Sequence, residues 1–155
     1  QTIHEKTARF IRRGYELPVF EDALKRLKKA DITVIVHVIL GLPGETPEMM
    51  AETARYIGQS GAEGVKLHLL HVLRNTDLAA EWQAGRVQTL ELEEYISILE
   101  LCLRNLPPEA VIHRLTGDGA KRDLLAPLWS GDKKRVLNAI HQAFLRDDLI
   151  QGSAL

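Results

Sequence analysis

Four histidines, His37, His68, His71 and His113, lie in segments that are otherwise apolar and β-branched. A neutral imidazole can act as a general base or bind a metal ion. If buried, it must find a hydrogen-bond partner or destabilise the fold by roughly 1 to 3 kcal/mol. His68 and His71 are three residues apart, so on one continuous strand their side chains point to opposite faces and cannot bind the same ion. We therefore predict no metal site, and two interpretations stay open for His37: a core histidine bonded to a neighbour, or a ligand contact.

The single cysteine, Cys102, falls on the apolar stripe of a predicted helix. One cysteine excludes an internal disulfide and any cluster held only by cysteines of this chain. A cysteine on an apolar helix face is usually a small core residue, and no serine has a local base pattern. We predict no catalytic residue within the chain.

Residues 38–50, VILGLPGETPEMM, join an apolar run to a helix start through a turn with two glycines and a proline. The turn lacks the Gly-Lys-Ser/Thr of a phosphate-binding loop and the GxGxxG of a dinucleotide site. Two interpretations remain open for this turn: a strand exit that needs backbone freedom, or the rim of a ligand site.

Length and charge limit the function classes. The chain has 155 residues, of which 45% are apolar, and this is enough for one domain with a core. Its 20 basic and 21 acidic residues give a net charge of -1, which excludes a general basic field for nucleic acid. No apolar run reaches the roughly 20 residues that cross a bilayer. We expect no membrane association and a cytoplasmic location, and the start at Gln1 predicts a fragment.

The apolar periodicity predicts an α/β fold. Parallel strands are expected near 32–41, 65–73 and 110–115, the first two of them buried on both faces, with helices between the strands and a helical C-terminus. Thr46, either Asn75 or Thr76, and Thr89 are the predicted helix N-caps, and the tail 151–155 is expected to be loose. Three strands are few for a sheet covered on both faces, so the pattern predicts a partial TIM-like (β/α) barrel. The loops GLPGE, LHVLRNT and TGDG would share the rim at its carboxyl end.

Four segments in order, QTIHEKTARFIRRGY, a helix, VIVHVILGLPGETPEMMAET and VKLHLLHVL, resemble the second half of a radical S-adenosylmethionine (radical SAM) domain. The resemblance is to the branch of coproporphyrinogen oxidases, elongator-type proteins and methylthiotransferases. The tail motifs LLAPLW and LNAIHQAF resemble a bacterial subgroup implicated in maturing wobble uridines of tRNA. The resemblance implies one domain over 1–155, with barrel elements in 1–88 and a C-terminal α/β extension in 89–155.

The resemblance also implies a set of cofactor-binding residues. Its polar contacts to S-adenosylmethionine would be Gln1, Arg13 and His37, and its adenine-lining positions would be Ile39, Gly41 and Leu70. An Arg can bind the carboxylate of the cofactor through a charge-assisted fork, and an imidazole can meet a ribose hydroxyl. Relatives often carry Asp at the position of His37.

The resemblance implies a [4Fe-4S] cluster held by a CxxxCxxC motif, which this chain lacks. The cluster would lie upstream of Gln1, in the parent protein, where it reduces S-adenosylmethionine to methionine and a 5′-deoxyadenosyl radical. The expected partners are the missing N-terminal half of the domain and, in the parent, tRNA. The chain alone is expected to be inactive. Two alternatives stay open: a non-catalytic α/β binding module, or a (β/α) hydrolase or lyase with His37, His71 or His113 as base.

Overall fold

A computed structural model describes residues 1–117 and 119–155. Helices and strands alternate through most of the chain. In chain order the elements are α1 (Glu5–Phe10), α2 (Leu17–Lys29), β1 (Ile35–Leu40), α3 (Pro47–Gln59), β2 (Gly64–Leu69), β3 (Val72–Leu73), α4 (Asp77–Gln83), α5 (Leu92–Arg104), β4 (Val111–Arg114), β5 (Leu124–Ala126), a 3-10 helix (Leu128–Gly131) and α6 (Lys133–Arg146).

The main sheet has the order β1-β2-β4, and both strand pairs are parallel. This confirms the predicted parallel α/β architecture, because the crossovers run through helices as parallel strands require. The predicted strand over 65–73 is wrong in its extent: it ends at Leu69, and Val72–Leu73 pairs antiparallel with β5 in a separate two-stranded sheet.

Side-chain chemistry sets most helix starts. The hydroxyl of Thr46 accepts from the amide of Met49 at 3.3 Å, which confirms that predicted cap. Of the two candidates for α4, Thr76 is the cap, because its hydroxyl accepts from the amide of Ala79 at 3.1 Å. The predicted cap at Thr89 is wrong. Helix α5 begins after Glu91, whose own amide donates to the Glu94 carboxylate at 2.9 Å.

The core lies between one face of the main sheet and helices α3, α5 and α6. Leu40, Leu67 and Leu99 are fully buried there, and each contributes about 1.5 to 3 kcal/mol by leaving water. The hydroxyl of buried Tyr95 donates to the carbonyl of Leu115 at 2.8 Å, which satisfies the one polar atom of that side chain.

The opposite face of the sheet is not covered by this core, so the prediction of strands buried on both faces is wrong. His37 is exposed on β1, Val111 is 55% exposed on β4, and Lys66 and His68 on β2 are half-buried. We call this surface the inner face, because it corresponds to the interior side of a barrel.

The C-terminal tail is docked, and the expectation of a loose tail is wrong. The amide of Gly152 donates to the carbonyl of Leu103 at 3.1 Å, and Ala154 donates to Arg104 at 2.9 Å. The side-chain amide of Gln151 donates to the carbonyls of Pro107 and Ala110. The bonds from Gly152 and Ala154 satisfy carbonyls at the end of α5, which have no partner within the helix.

Candidate functional site

A cavity of about 580 Å³ opens at the carboxyl ends of β1 and β2. The carbonyl of Gln1 accepts from the amide of Ile39 at 3.0 Å, and the amide of Leu70 donates to the carbonyl of Leu40 at 2.9 Å. Backbone hydrogen bonds therefore fix both sides of the cavity. Three of the predicted binding residues, Gln1, Ile39 and Leu70, line this cavity. The remaining lining residues are Phe10, Ile11, Arg12, Leu42, Asp77, Leu78 and Glu81.

The cavity is apolar within and charged at its mouth. Leu42 and Leu78 extend its apolar wall, and nothing in the periodicity of the sequence had singled them out. The exposed guanidinium of Arg12 donates to the carboxylate of Asp77 at 2.7 Å, which connects the end of α1 to the start of α4. Arg12 has a φ of 56°, a left-handed conformation that a non-glycine residue adopts at some cost.

Gly41 places the GLPG turn against the site. Its φ is 84°, and its amide donates to the thioether sulfur of Met50 at 3.2 Å. A Cβ at this position would lie 2.9 Å from Cδ1 of Leu90 and 3.9 Å from Cβ of Leu70, so only glycine fits without displacing a neighbour. The turn is tied to the chain start, because the hydroxyl of Thr2 donates to the Glu45 carboxylate at 2.5 Å.

Arg13, for which the resemblance implies a cofactor contact, is engaged by the chain itself. Its side chain is 3% exposed, and its guanidinium donates to the carbonyls of Thr2 and Tyr15 and to the Glu5 carboxylate at 2.7 to 3.0 Å. All three guanidinium nitrogens are thus engaged by the chain itself. Arg13, Gln1 and His37 do line one small cavity of about 30 Å³, which shares Gln1 with the larger one.

His37 stacks on His68 across the two strands, with ring centroids 4.9 Å apart and an interplanar angle of 21°. Burial, then the charges of neighbouring His37 and Arg114, lower the pKa of His68 to about 4. Burial and nearby Lys66 also lower the pKa of His37. Both imidazoles are therefore neutral near pH 7.

The predicted opposite orientation of His68 and His71 is wrong, because the strand breaks between them. A Cβ on Gly117 would lie 2.6 Å from the His71 ring and 3.6 Å from Nδ1 of His68, so both rings approach the same glycine. Thr116, 2% exposed, lies beside it. Asp118 of the TGDG motif lies outside the described residues.

Cys102 is fully buried in α5, and burial raises the pKa of its thiol to about 12. A thiol in this state is a packing group and not a metal ligand. Within residues 1–117 and 119–155, no group of three His, Cys, Asp or Glu side chains is arranged to hold a metal ion. In the same residues no helix has the length and apolar character needed to cross a bilayer.

These features define a partial (β/α) barrel with a ligand cavity at the carboxyl ends of its parallel strands. Two family models match the sequence: the Radical SAM superfamily over residues 1–57 and the Radical SAM C-terminal domain over residues 62–146. The chain belongs to the radical SAM superfamily.

Several proteins are similar to the chain. Protein YtqA of Bacillus subtilis is 36% identical over 152 residues, which are 98% of this chain and 47% of that protein. Protein YhcC of Escherichia coli K12 is 33% identical over 155 residues, or 100% of this chain and 50% of that protein. The chain thus spans about half the length of these relatives. The solved structure of an archaeal Elp3 from Methanocaldococcus infernus has the same fold, with a TM-score of 0.82 at 19% identity, over 97% of this chain and 35% of that one.

Proposed function

We propose that the larger cavity binds S-adenosylmethionine and that the chain is the cofactor-binding half of a radical SAM enzyme. One observation carries the proposal: Gln1, Ile39 and Leu70, assigned to the cofactor by the family resemblance, line a single cavity beside the GLPG turn. The division of the domain at residue 88 remains a prediction.

The chemistry of the cavity suits an adenosine. Its volume of about 580 Å³ is in the range of small-molecule sites, and its wall is mainly apolar with few polar groups. In this proposal Ile39 and Leu70 pack against the adenine, and the side chain of Gln1 contacts a polar group of the cofactor. Gly41 keeps the backbone close to the cavity because a side chain there would collide with Leu90.

Arg12 is the better placed of two adjacent arginines for a carboxylate at the cavity mouth. Its guanidinium is exposed and lines the cavity, whereas the guanidinium of Arg13 already has three acceptors. In this proposal Arg13 is a positioning residue that holds the segment from Thr2 to Tyr15, and His37 lies at the neighbouring small cavity.

The residues of this chain do not fit the [4Fe-4S] cluster, since its only cysteine is a buried, protonated thiol in the core. We therefore propose that the cluster ligands belong to the N-terminal half of a parent protein, whose length the relatives indicate. With both cofactors present, the parent would cleave S-adenosylmethionine reductively and abstract hydrogen from its substrate.

The substrate of the parent is proposed to be tRNA, on the resemblance of the C-terminal motifs. The histidine-base alternative has weaker support at His37, because burial and the charge of Lys66 lower the pKa of its imidazole. A general base works best with a pKa near the working pH.

Binding of S-adenosylmethionine to the 155-residue chain tests the proposal. We expect saturable chemical-shift changes in ¹⁵N NMR spectra at Gln1, Ile39 and Leu70 with millimolar cofactor. Ile39→Trp, which fills the cavity, should abolish them. Ile32→Trp adds the same side chain at an exposed position outside it and should not. No shift at millimolar cofactor, or equal binding by both variants, would overturn the proposal.

A further inference from the structure

The inner face of the main sheet has an unusual composition. None of its three strands, IVHVIL, GVKLHL and VIHR, contains an Asp or a Glu. The charged and titratable side chains of the strands are all basic or imidazole, namely His37, Lys66, His68, His113 and Arg114. Parallel strands are normally apolar on both faces, so this composition calls for a reason other than packing.

The register arranges three of these residues in a row. His37 on β1 is paired with Lys66 on β2, and a register shift between Val65 and Lys66 pairs Lys66 with Arg114 on β4. Neighbouring strands lie about 4.8 Å apart, so the row extends about 10 Å across the sheet. His68 stands two residues beyond Lys66, on the same face.

Basic side chains lie near both imidazoles. Burial lowers the pKa of His68 most, and the charges of neighbouring groups, Lys66 among them, lower it further. Burial and then Lys66 lower the pKa of His37 in the same way. Lys66 thus places a positive charge near two neutral imidazoles, and a positive charge at a surface attracts anions.

Two buried polar atoms at the end of this face have no hydrogen-bond partner among the described residues: Nε2 of His68 and Oγ1 of Thr116. An unsatisfied buried polar group is unfavourable, and a ligand that bonds to it removes this penalty. The rings of His68 and His71 crowd Gly117 next to these atoms, so the backbone there is held close to the imidazoles.

We propose that the inner face binds an oxyanion, a phosphate or carboxylate group of the substrate, with Lys66 as the charged contact and Nε2 of His68 as a neutral donor. The assignment of this anion to the substrate rests on the proposed function, because the inner face adjoins the cavity at Ile39. Oxyanion binding itself does not require that function.

Inorganic phosphate and succinate serve as separate probes of the two oxyanion classes. We expect at least one of them to shift the ¹H–¹³C signals of Lys66 and the ring signals of His68 in a saturable manner, and the tighter probe identifies the class. Failure of both probes to shift these signals overturns the proposal, and this test needs no variant.

Matched lysine variants test the contact itself. Lys66→Gln should weaken binding about tenfold or more, as expected when a charge-assisted hydrogen bond is lost. Lys29→Gln removes the same charge from α2 and should leave affinity within about twofold, as should Lys66→Arg, which keeps the charge. Equal losses in Lys66→Gln and Lys29→Gln would refute a specific site.

The outcome is separable from that of the cofactor test. If phosphate or succinate binds through Lys66 while S-adenosylmethionine does not bind, the oxyanion site stands and the proposed function fails. If the cofactor binds and neither anion does, the proposed function stands and the inner face is not an oxyanion site.

Discussion

Two glycines of one turn, Gly41 and Gly44, form a matched pair for measuring how tightly the turn is packed at the site. Both have left-handed backbone, with φ of 84° and 81°. A Cβ at Gly44 would meet nothing within 4 Å, whereas one at Gly41 would lie 2.9 Å from Leu90. Alanine at Gly44 therefore reports backbone strain alone, and alanine at Gly41 reports the same strain together with a collision.

The expected magnitudes follow from these two terms. Left-handed backbone in an L-residue costs about 1 to 2 kcal/mol, which is the whole expected loss of unfolding free energy for Gly44→Ala. Gly41→Ala must also push Leu90 from its rotamer, at about 0.5 to 1.5 kcal/mol more. The total is about 1.5 to 3.5 kcal/mol, or a Tm about 3 to 14 °C below that of the unsubstituted chain.

Urea denaturation followed by circular dichroism measures both losses. Fluorescence adds an independent signal, because the indole of Trp129 donates to the carbonyl of Leu90 at 3.0 Å. In a Trp82→Phe background, Gly41→Ala should change the native emission of Trp129, and Gly44→Ala should leave it unchanged. Equal destabilisation by the two alanines with identical emission would refute the inferred contact with Leu90.

Three further changes test other contacts. The Glu63 carboxylate accepts from Lys28 and from the amide of Val34, and these bonds lower its pKa to about 2. Its stabilising effect is complete above the ordinary pKa near 4.5 and is lost as the pH falls toward 2. The difference in Tm between the unsubstituted chain and Glu63→Gln should therefore shrink over that pH range. Arg13→Gln should lower the unfolding free energy by about 2 to 4 kcal/mol in urea titrations, because a buried guanidinium with three acceptors is removed; an unchanged midpoint would contradict its positioning role. Asn105→Ala should cost about 1 to 3 kcal/mol by the same measurement, since the 2% exposed Asn105 accepts from Arg55 and donates to Leu101; a loss below 0.5 kcal/mol would be typical of an exposed residue instead.

Local chemistry explains which elements could be predicted from the sequence. Thr46 followed by Pro47 specifies a helix start without tertiary help, and the β-branched run before Gly41 specifies a strand. Thr89 offers the same hydroxyl as Thr46, but α5 starts after Glu91, whose amide donates to the Glu94 carboxylate. Competition between nearby caps depends on geometry that composition does not reveal.

Tertiary pairing explains the remaining errors. The run VKLHLLHVL reads as one strand, and only its antiparallel pairing with Leu124–Ala126 bends it after Leu69. That bend brings His68 and His71 to the same glycine, which strict alternation forbids. The cofactor role of Arg13 stays a prediction from the resemblance, and the sequence does not show that Thr2, Glu5 and Tyr15 engage its guanidinium.

The docked tail has a consequence for the order in which the molecule can fold. The carbonyl of Leu103, in the helix that contributes Leu99 and Cys102 to the core, receives its hydrogen bond from Gly152, and the carbonyl of Arg104 receives one from Ala154. These closures join residues about 50 positions apart, a far longer loop than those within β1, α3 and β2. During synthesis these two carbonyls therefore lack their partners in the tail until residues 151–155 have left the ribosome. The amides of Gly152 and Ala154 should gain exchange protection later than those of the first two strands.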